Sequence, residues 1–247
     1  MLTSPSKLPP LDLELMADEI HIWFAVLGQP VSGVHRYIQT LSIEERIRAE
    51  HFHSERDRKN FIVRRGILRT ILGFYLNVEP NQLRFRCGKN GKPELADTFA
   101  NGTVHFNLSH SEGVALFAFA RDLEIGVDVE YMRDISEMEQ IAEQFFSVHE
   151  KRVFRTLPKN EKKEAFFNCW TRKEAFIKAV GDGLSRPLDS FDVTLVRGEP
   201  ARLLRIEEDS NAAFRWSIQD LKPALGFAAA LAVEGKNLAF RCWQWSN

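Results

Sequence analysis

The chain has 247 residues, with 33 Lys and Arg against 34 Asp and Glu, and a near-zero net charge of this kind argues against a general polyanion binder such as a nucleic-acid protein. Cys87, Cys169 and Cys242 are far apart and odd in number, which suggests neither a disulfide framework nor a thiolate metal site and fits a reducing cytoplasm. No basic stretch leading into an apolar core opens the chain, and the longest apolar run, 224–233, is too short to span a bilayer, so neither a signal peptide nor a membrane partner is expected.

In chain order, residues 1–10 read as a Ser- and Pro-rich tail and residues 20–27 as a first strand, ended by Gly28 and Pro30. Ser42 followed by Glu45 is the capping-box pattern and opens a helix. Beyond it, Phe61, Ile62, Ile67, Leu68, Ile71 and Leu72 recur at helical spacing. Arg64, Arg65 and Arg69 fall on the other face, as solvated charge or as a phosphate-site candidate. His51 and His53 lie two apart, point away from each other on a helix, and read as surface residues.

Residues 83–85 look like a short strand, and Cys87-Gly88-Lys89-Asn90-Gly91-Lys92-Pro93 is a turn-rich loop. Asn90-Gly91 favours positive φ, which can bring backbone N–H groups and Lys92 to an anion. Residues 104–108 read as a strand with Ser109-His110-Ser111 at its end, and 113–120 as a strand buried on both faces. No G-x-S-x-G elbow accompanies His110, so a serine hydrolase is not indicated.

The chain is organised around Gly126-Val127-Asp128-Val129-Glu130. A strand with a side-chain period of two puts both carboxylates on one face. Two acids that close repel, and they call for a metal, a shared proton or basic partners. Hard oxygen donors suit magnesium or manganese better than zinc. The alternative is an edge strand kept soluble by charge.

Ile141, Phe145 and Phe146 then continue in helical spacing, and Ser147 with Glu150 forms a second capping box opening a helix that runs to Pro158. That makes Glu150 a cap rather than a ligand. After a charged connection at 159–163, residues 165–180 form a helix stopped by Gly181 and Gly183. Glu174 and Lys178 share one of its faces, and Phe167, Trp170 and Phe176 imply that the helix is largely buried, so its charges need partners. Strands are expected at 191–196, 214–221, 225–233 and 238–245. The order favours an α+β chain in two similar halves joined near residue 122.

Three motifs stand in one order: Phe106-Asn107-Leu108-Ser109-His110-Ser111; Ile125-Gly126-Val127-Asp128-Val129-Glu130; and Phe145-Phe146-Ser147 with Trp170-Thr171-Arg172-Lys173-Glu174-Ala175-Phe176-Ile177-Lys178. With Gly91-Lys92-Pro93 upstream and Gly181-Asp182-Gly183-Leu184-Ser185 downstream, the chain resembles the surfactin-type 4'-phosphopantetheinyl transferases over about residues 61–193. The C-terminal part matches only in strand pattern.

The resemblance implies a pseudo-dimeric monomer of two α+β halves, 1–122 and 123–247, each an antiparallel sheet packed with helices, with coenzyme A in the cleft between them. It implies magnesium, or manganese, on the pyrophosphate, with Asp128, Glu130 and Glu174 as ligands and Asp128 also beside the coenzyme. Ser109, His110, Lys92 and Pro93 of the Gly-Lys-Pro loop would meet the 3'-phosphate side, Arg56 would be a further nucleotide contact, and Lys178 would face the pyrophosphate. The implied reaction is attack by a serine hydroxyl of an apo acyl or peptidyl carrier protein on the β-phosphorus, releasing 3',5'-ADP. Glu174 and Lys178 would be catalytic, and the base is Glu174, Glu130 or a metal-bound water. The basic segment 145–163 is either a docking surface for an acidic carrier or solvated charge. A metal-dependent phosphohydrolase and a non-catalytic nucleotide-binding module are the other classes weighed.

Overall fold

A computed structural model describes residues 13–28, 31–88, 90–96, 104–207 and 211–246; the tail at 1–10, Pro30 and Lys89 lie outside them. Strand β1 (Glu19–Val26) is followed by helices α1 (Val31–Ile38), α2 (Ile43–Glu50) and α3 (Glu55–Leu76). A small hairpin of β2 (Phe85–Cys87) and β3 (Pro93–Leu95) leads to β4 (Val104–Ser111), β5 (Val114–Arg121) and β6 (Ile125–Tyr131). Then come α4 (Met138–Phe145), α5 (Val148–Thr156) and α6 (Lys159–Val180). The last strands are β7 (Phe191–Val193), β8 (Leu203–Ile206), β9 (Trp216–Leu221), β10 (Phe227–Glu234) and β11 (Ala239–Gln244).

The chain is α+β, with four layers that follow from side-chain alternation. One sheet has the order β11-β1-β5-β4 and the other β6-β10-β9. On β5, Ala115, Phe117 and Phe119 face a core shared with α3, while Leu116, Ala118 and Ala120 face a core shared with Val127, Val129 and Leu231 of the second sheet. On β10, Ala228, Ala230 and Ala232 face the opposite way, onto Ala175, Phe176 and Ala179 of α6. The small residues of β10 let α6 approach closely. The layers therefore run α3, first sheet, second sheet, α6. Among the described residues no helix is long and apolar enough to cross a membrane.

Both capping boxes form, Ser42 with Glu45 and Ser147 with Glu150. Elsewhere the boundaries differ from expectation. Strand β4 continues through Ser111, so Ser109-His110-Ser111 forms its last three paired residues, and a two-residue turn with positive φ at Glu112 and Gly113 starts β5 only at Val114. Helix α6 takes in the charged stretch 159–163, whose Lys and Glu residues are good helix formers behind Pro158. A cut at residue 122 falls in the turn between β5 and β6, but β11 does not follow that division: it returns to lie parallel to β1, Glu19 opposite Ala239.

Candidate active site

Strands β4 and β6 are edge strands of different sheets, and polar side chains bridge them. Asn107 Oδ1 accepts from the Val127 N–H at 3.0 Å, Ser109 Oγ donates to Asp128 Oδ1 at 2.8 Å, and Ser111 Oγ donates to Glu130 Oε2 at 2.9 Å. Ser111 Oγ also accepts from the Tyr131 N–H at 3.1 Å. Three alternate residues of β4 thus hold the edge of β6, and the same rungs orient both acids. Asp128 is therefore not surface charge on a free edge: it is 4 % exposed.

Helix α6 delivers the rest. A β-carbon at Gly126 would overlap the Ala175 carbonyl and the Ala179 backbone, so only glycine lets the helix lie this close to β6. Lys178 consequently reaches across, Nζ donating to Asp128 Oδ1 at 2.6 Å, to Ser109 Oγ at 3.1 Å and to the Val127 carbonyl at 3.4 Å. Its partner is Asp128, not the Glu174 that precedes it by one turn.

The charge balance around these groups is unfavourable as it stands. Burial and then the neighbouring Asp128 push the Glu174 carboxyl up, against the opposing pull of Lys178. Burial, with Asp128 adding to it, likewise raises Glu130, although the Ser111 hydroxyl works in the other direction. Asp128 Oδ2 is buried with no hydrogen-bond partner. Among the described residues no three acid, His or Cys side chains stand in a ready metal-binding group. The chemistry of the donors nevertheless fits a hard divalent cation: one orphaned buried carboxylate oxygen and two carboxyls destabilised by negative charge.

Ser109, His110, Asp128, Glu130, Glu174 and Lys178 line one cleft of about 1530 Å³, with Pro93 and several arginines opposite. Arg69, expected on the solvated face, is instead buried and engaged, donating to Glu45 at 2.6 Å and to the Pro80 and Leu83 carbonyls. Arg65 pairs with the same carboxylate. Arg64 has no acidic partner among the described residues; desolvation, then Arg65 and Arg48, lower its pKa to about 10. His110 opens onto the cleft, and desolvation followed by Arg64 and Lys178 pushes its imidazole down to about 4.

Two further expected nucleotide contacts are engaged by protein groups. Arg56 pairs with Glu112 at 3.2 Å and lines a side pocket of about 380 Å³ that it shares with His110 and Arg64. Lys92 places its ammonium on Glu124 and two carbonyls. A further apolar pocket of about 600 Å³, walled by Leu108, Phe145, Ile177 and Leu188, shares Glu174 and Lys178 with the cleft. The roles of Asn107 and Ser111 were missed in the sequence; their signal is the polar alternation 107, 109, 111 within one strand. Arg48, also missed, lines the cleft from α2, where it reads as ordinary helix-surface charge.

Residues 30–121 match the family described as 4'-phosphopantetheinyl transferase, N-terminal, and residues 124–232 match the 4'-phosphopantetheinyl transferase superfamily. The chain is 41 % identical over 236 residues to the 4'-phosphopantetheinyl transferase HetI of a Nostoc species, covering 96 % of each chain. It is 36 % identical over 176 residues to the 4'-phosphopantetheinyl transferase ffp of Bacillus subtilis, covering 70 % of this chain and 76 % of that one. To the 4'-phosphopantetheinyl transferase Sfp of Bacillus subtilis it is 33 % identical over 160 residues, covering 65 % and 69 %.

Proposed function

The chain belongs to the 4'-phosphopantetheinyl transferase family, and we propose that it moves the 4'-phosphopantetheine arm of coenzyme A onto a serine of an apo acyl or peptidyl carrier protein, releasing 3',5'-ADP. The observation that carries this reading is the convergence of Asp128, Glu130, Glu174 and Lys178 on one cleft, with Asp128 Oδ2 buried and unpartnered. Asp128, Glu130 and Glu174 would hold magnesium, which, when bound, neutralises charge on the pyrophosphate.

The protein's own groups account for the remaining steps. Lys178, fixed by Asp128 and Ser109, presents a positive charge where negative charge grows on the leaving phosphate. Glu174 accepts the serine proton. It has no hydrogen-bond partner among the described residues, whereas Glu130 Oε2 already accepts from Ser111. At the nucleotide end, His110 is neutral and binds the 3'-phosphate through an N–H, while Arg48 and Arg64 supply the positive field. The neutral pantetheine arm suits the apolar pocket beside Glu174 and Lys178.

For the carrier, the basic run on α5 and the start of α6 is narrower than its composition implies. Arg155, Lys162 and Lys163 are taken up by Glu143, Glu139 and Asp134, and Lys151, Arg152 and Lys159 form no ion pair among the described residues. Those three are the docking candidates. The three free cysteines support action in a reducing compartment, and we read the working form as a cytoplasmic monomer.

The test is incubation with coenzyme A, magnesium and a panel of apo carrier proteins. Added phosphopantetheine mass on a carrier, with 3',5'-ADP formed in equal amount, is expected. Turnover of coenzyme A at the same rate without any carrier would favour a phosphohydrolase instead.

A further inference from the structure

The Gly-Lys-Pro loop carries the lysine that the motif places at the coenzyme, yet its ammonium is fully occupied by protein. Lys92 Nζ lies 3.1 Å from Glu124 Oε2, 3.2 Å from the Ile125 carbonyl and 3.1 Å from the Ala179 carbonyl. An ammonium has three donors, and three acceptors surround this one. The side chain is only 14 % exposed.

The acceptors are informative in themselves. Ala179 belongs to the last turn of α6, where carbonyls lack intrahelical partners and where a positive charge is favoured. Asn90 Nδ2, two residues earlier in the loop, donates to the Gly181 carbonyl at 2.7 Å, just past the same helix end. Glu124 and Ile125 are the residues at which β6 begins, and Glu124 Oε1 is held in turn by His105 Nδ1 of β4 at 3.3 Å. One loop is thus fastened at once to the helix carrying Glu174 and Lys178 and to the strand carrying Asp128 and Glu130. Gly91 and Pro93, on either side of Lys92, line both the cleft and the apolar pocket.

We propose that Lys92 is a positioning residue and not a phosphate ligand: with Glu124 it latches the 90–93 loop to the end of α6 and the start of β6, and so fixes the cleft wall relative to the acids. Releasing Lys92 to reach a phosphate would leave Glu124 and two carbonyls short of a donor. Removing it should therefore misplace a wall that every form of the coenzyme meets, whether or not the 3'-phosphate is present. The inference rests on the transfer reading of the site.

The experiment compares wild type, Lys92→Met, Glu124→Gln and the double variant in transfer from coenzyme A and from dephospho-coenzyme A. Lys92→Met should lower kcat/KM on the order of tenfold to a hundredfold, by the same factor with both substrates. Glu124→Gln should lower it in the same sense by less, and the double variant should lose less than the product of the two. A Lys92→Met loss that disappears with dephospho-coenzyme A, or a Glu124→Gln enzyme equal to wild type, overturns the latch. Amide hydrogen exchange on the same proteins needs no turnover. Lys92→Met should speed exchange in residues 90–92 and 179–183 together, and unchanged exchange there overturns the proposal. Should wild type transfer from neither substrate, the transfer reading fails, and the exchange result still decides the latch.

Discussion

Lys178 Nζ and Asp128 Oδ1 meet at 2.6 Å, which leaves the other Asp128 oxygen buried and without a partner. Asp128→Asn keeps the shape and the Ser109 contact but removes the charge. It should cost about 10²–10³ in kcat/KM, because the cation that would meet the developing charge loses a ligand. Stability should change by no more than about 1–2 kcal/mol, since Lys178 retains the Val127 carbonyl and Ser109. Transfer kinetics beside a urea unfolding curve separate the two, and near-normal turnover removes Asp128 from the reaction.

Gly126→Ala inserts one carbon where α6 meets β6. The obstacles are backbone atoms, so the helix itself must shift, at a cost of about 1–3 kcal/mol. Glu174 and Lys178 move with it, and transfer should fall roughly a hundredfold even in the folded fraction. Gly198, around which a β-carbon meets nothing, is the control for added side-chain bulk, read against its own positive φ. Equal activity in wild type and Gly126→Ala would mean that the approach of helix to strand is not needed.

His110 should titrate near 4 in the free protein, by NMR of its ring carbons. The sign of the linkage follows. Between about 4 and the ordinary value of 6.5 the unfolded chain binds more protons than the folded one, so stability from this site is complete above 6.5 and declines as pH falls toward 4. Adding 3',5'-ADP should raise the titration, because a nearby anion favours imidazolium. A His110 pKa that ignores the nucleotide would place the 3'-phosphate elsewhere.

Lys173 and Glu150 form an ion pair of 2.8 Å with side chains 1 % and 0 % exposed. The lysine also donates to the Leu188 and Phe191 carbonyls, and Glu150 accepts from the Ser147 and Val193 N–H groups. Lys173→Met strands a buried carboxylate and should destabilise by about 3–5 kcal/mol. Adding Glu150→Gln should recover part of that loss, because the amide oxygen can still accept while the charge is gone. Thermal unfolding of the four proteins gives the coupling, and simple additivity would deny it.

Reversing Lys151 and Arg152 to Glu tests carrier docking. The KM for the carrier should rise, that for coenzyme A should stay, and the salt dependence of the rate should flatten, since exposed charges act mainly on encounter. An unmoved carrier KM would shift docking to the loop at 181–187.

Local rules made part of this protein readable. Both capping boxes, the shared face of Asp128 and Glu130, and the helix that carries Glu174 and Lys178 depend on residues within a few positions of one another. What failed was the choice of distant partner. Arg69 and Lys173 look like helix-surface charge in the sequence, yet both are buried because backbone carbonyls 11 to 18 residues further on arrive as acceptors. The resemblance sets Lys92 at a phosphate, and only the end of α6, 87 residues away, supplies the acceptor that its ammonium meets. The turn at Glu112-Gly113 was hidden because Glu is a poor predictor of positive φ, and that displaced the apparent end of β4.

The parallel pairing of β11 with β1, reinforced by Arg241 on Glu19 across 222 residues, has a bearing on how the molecule is made. During synthesis β1 emerges well before β11, and its outer edge stays unpaired until residues 239–244 have left the ribosome. The first sheet is therefore completed last. A fragment ending at residue 122 would carry that open edge permanently and be prone to self-association, and closing a contact of such sequence separation should make the final folding step slow relative to formation of the helices.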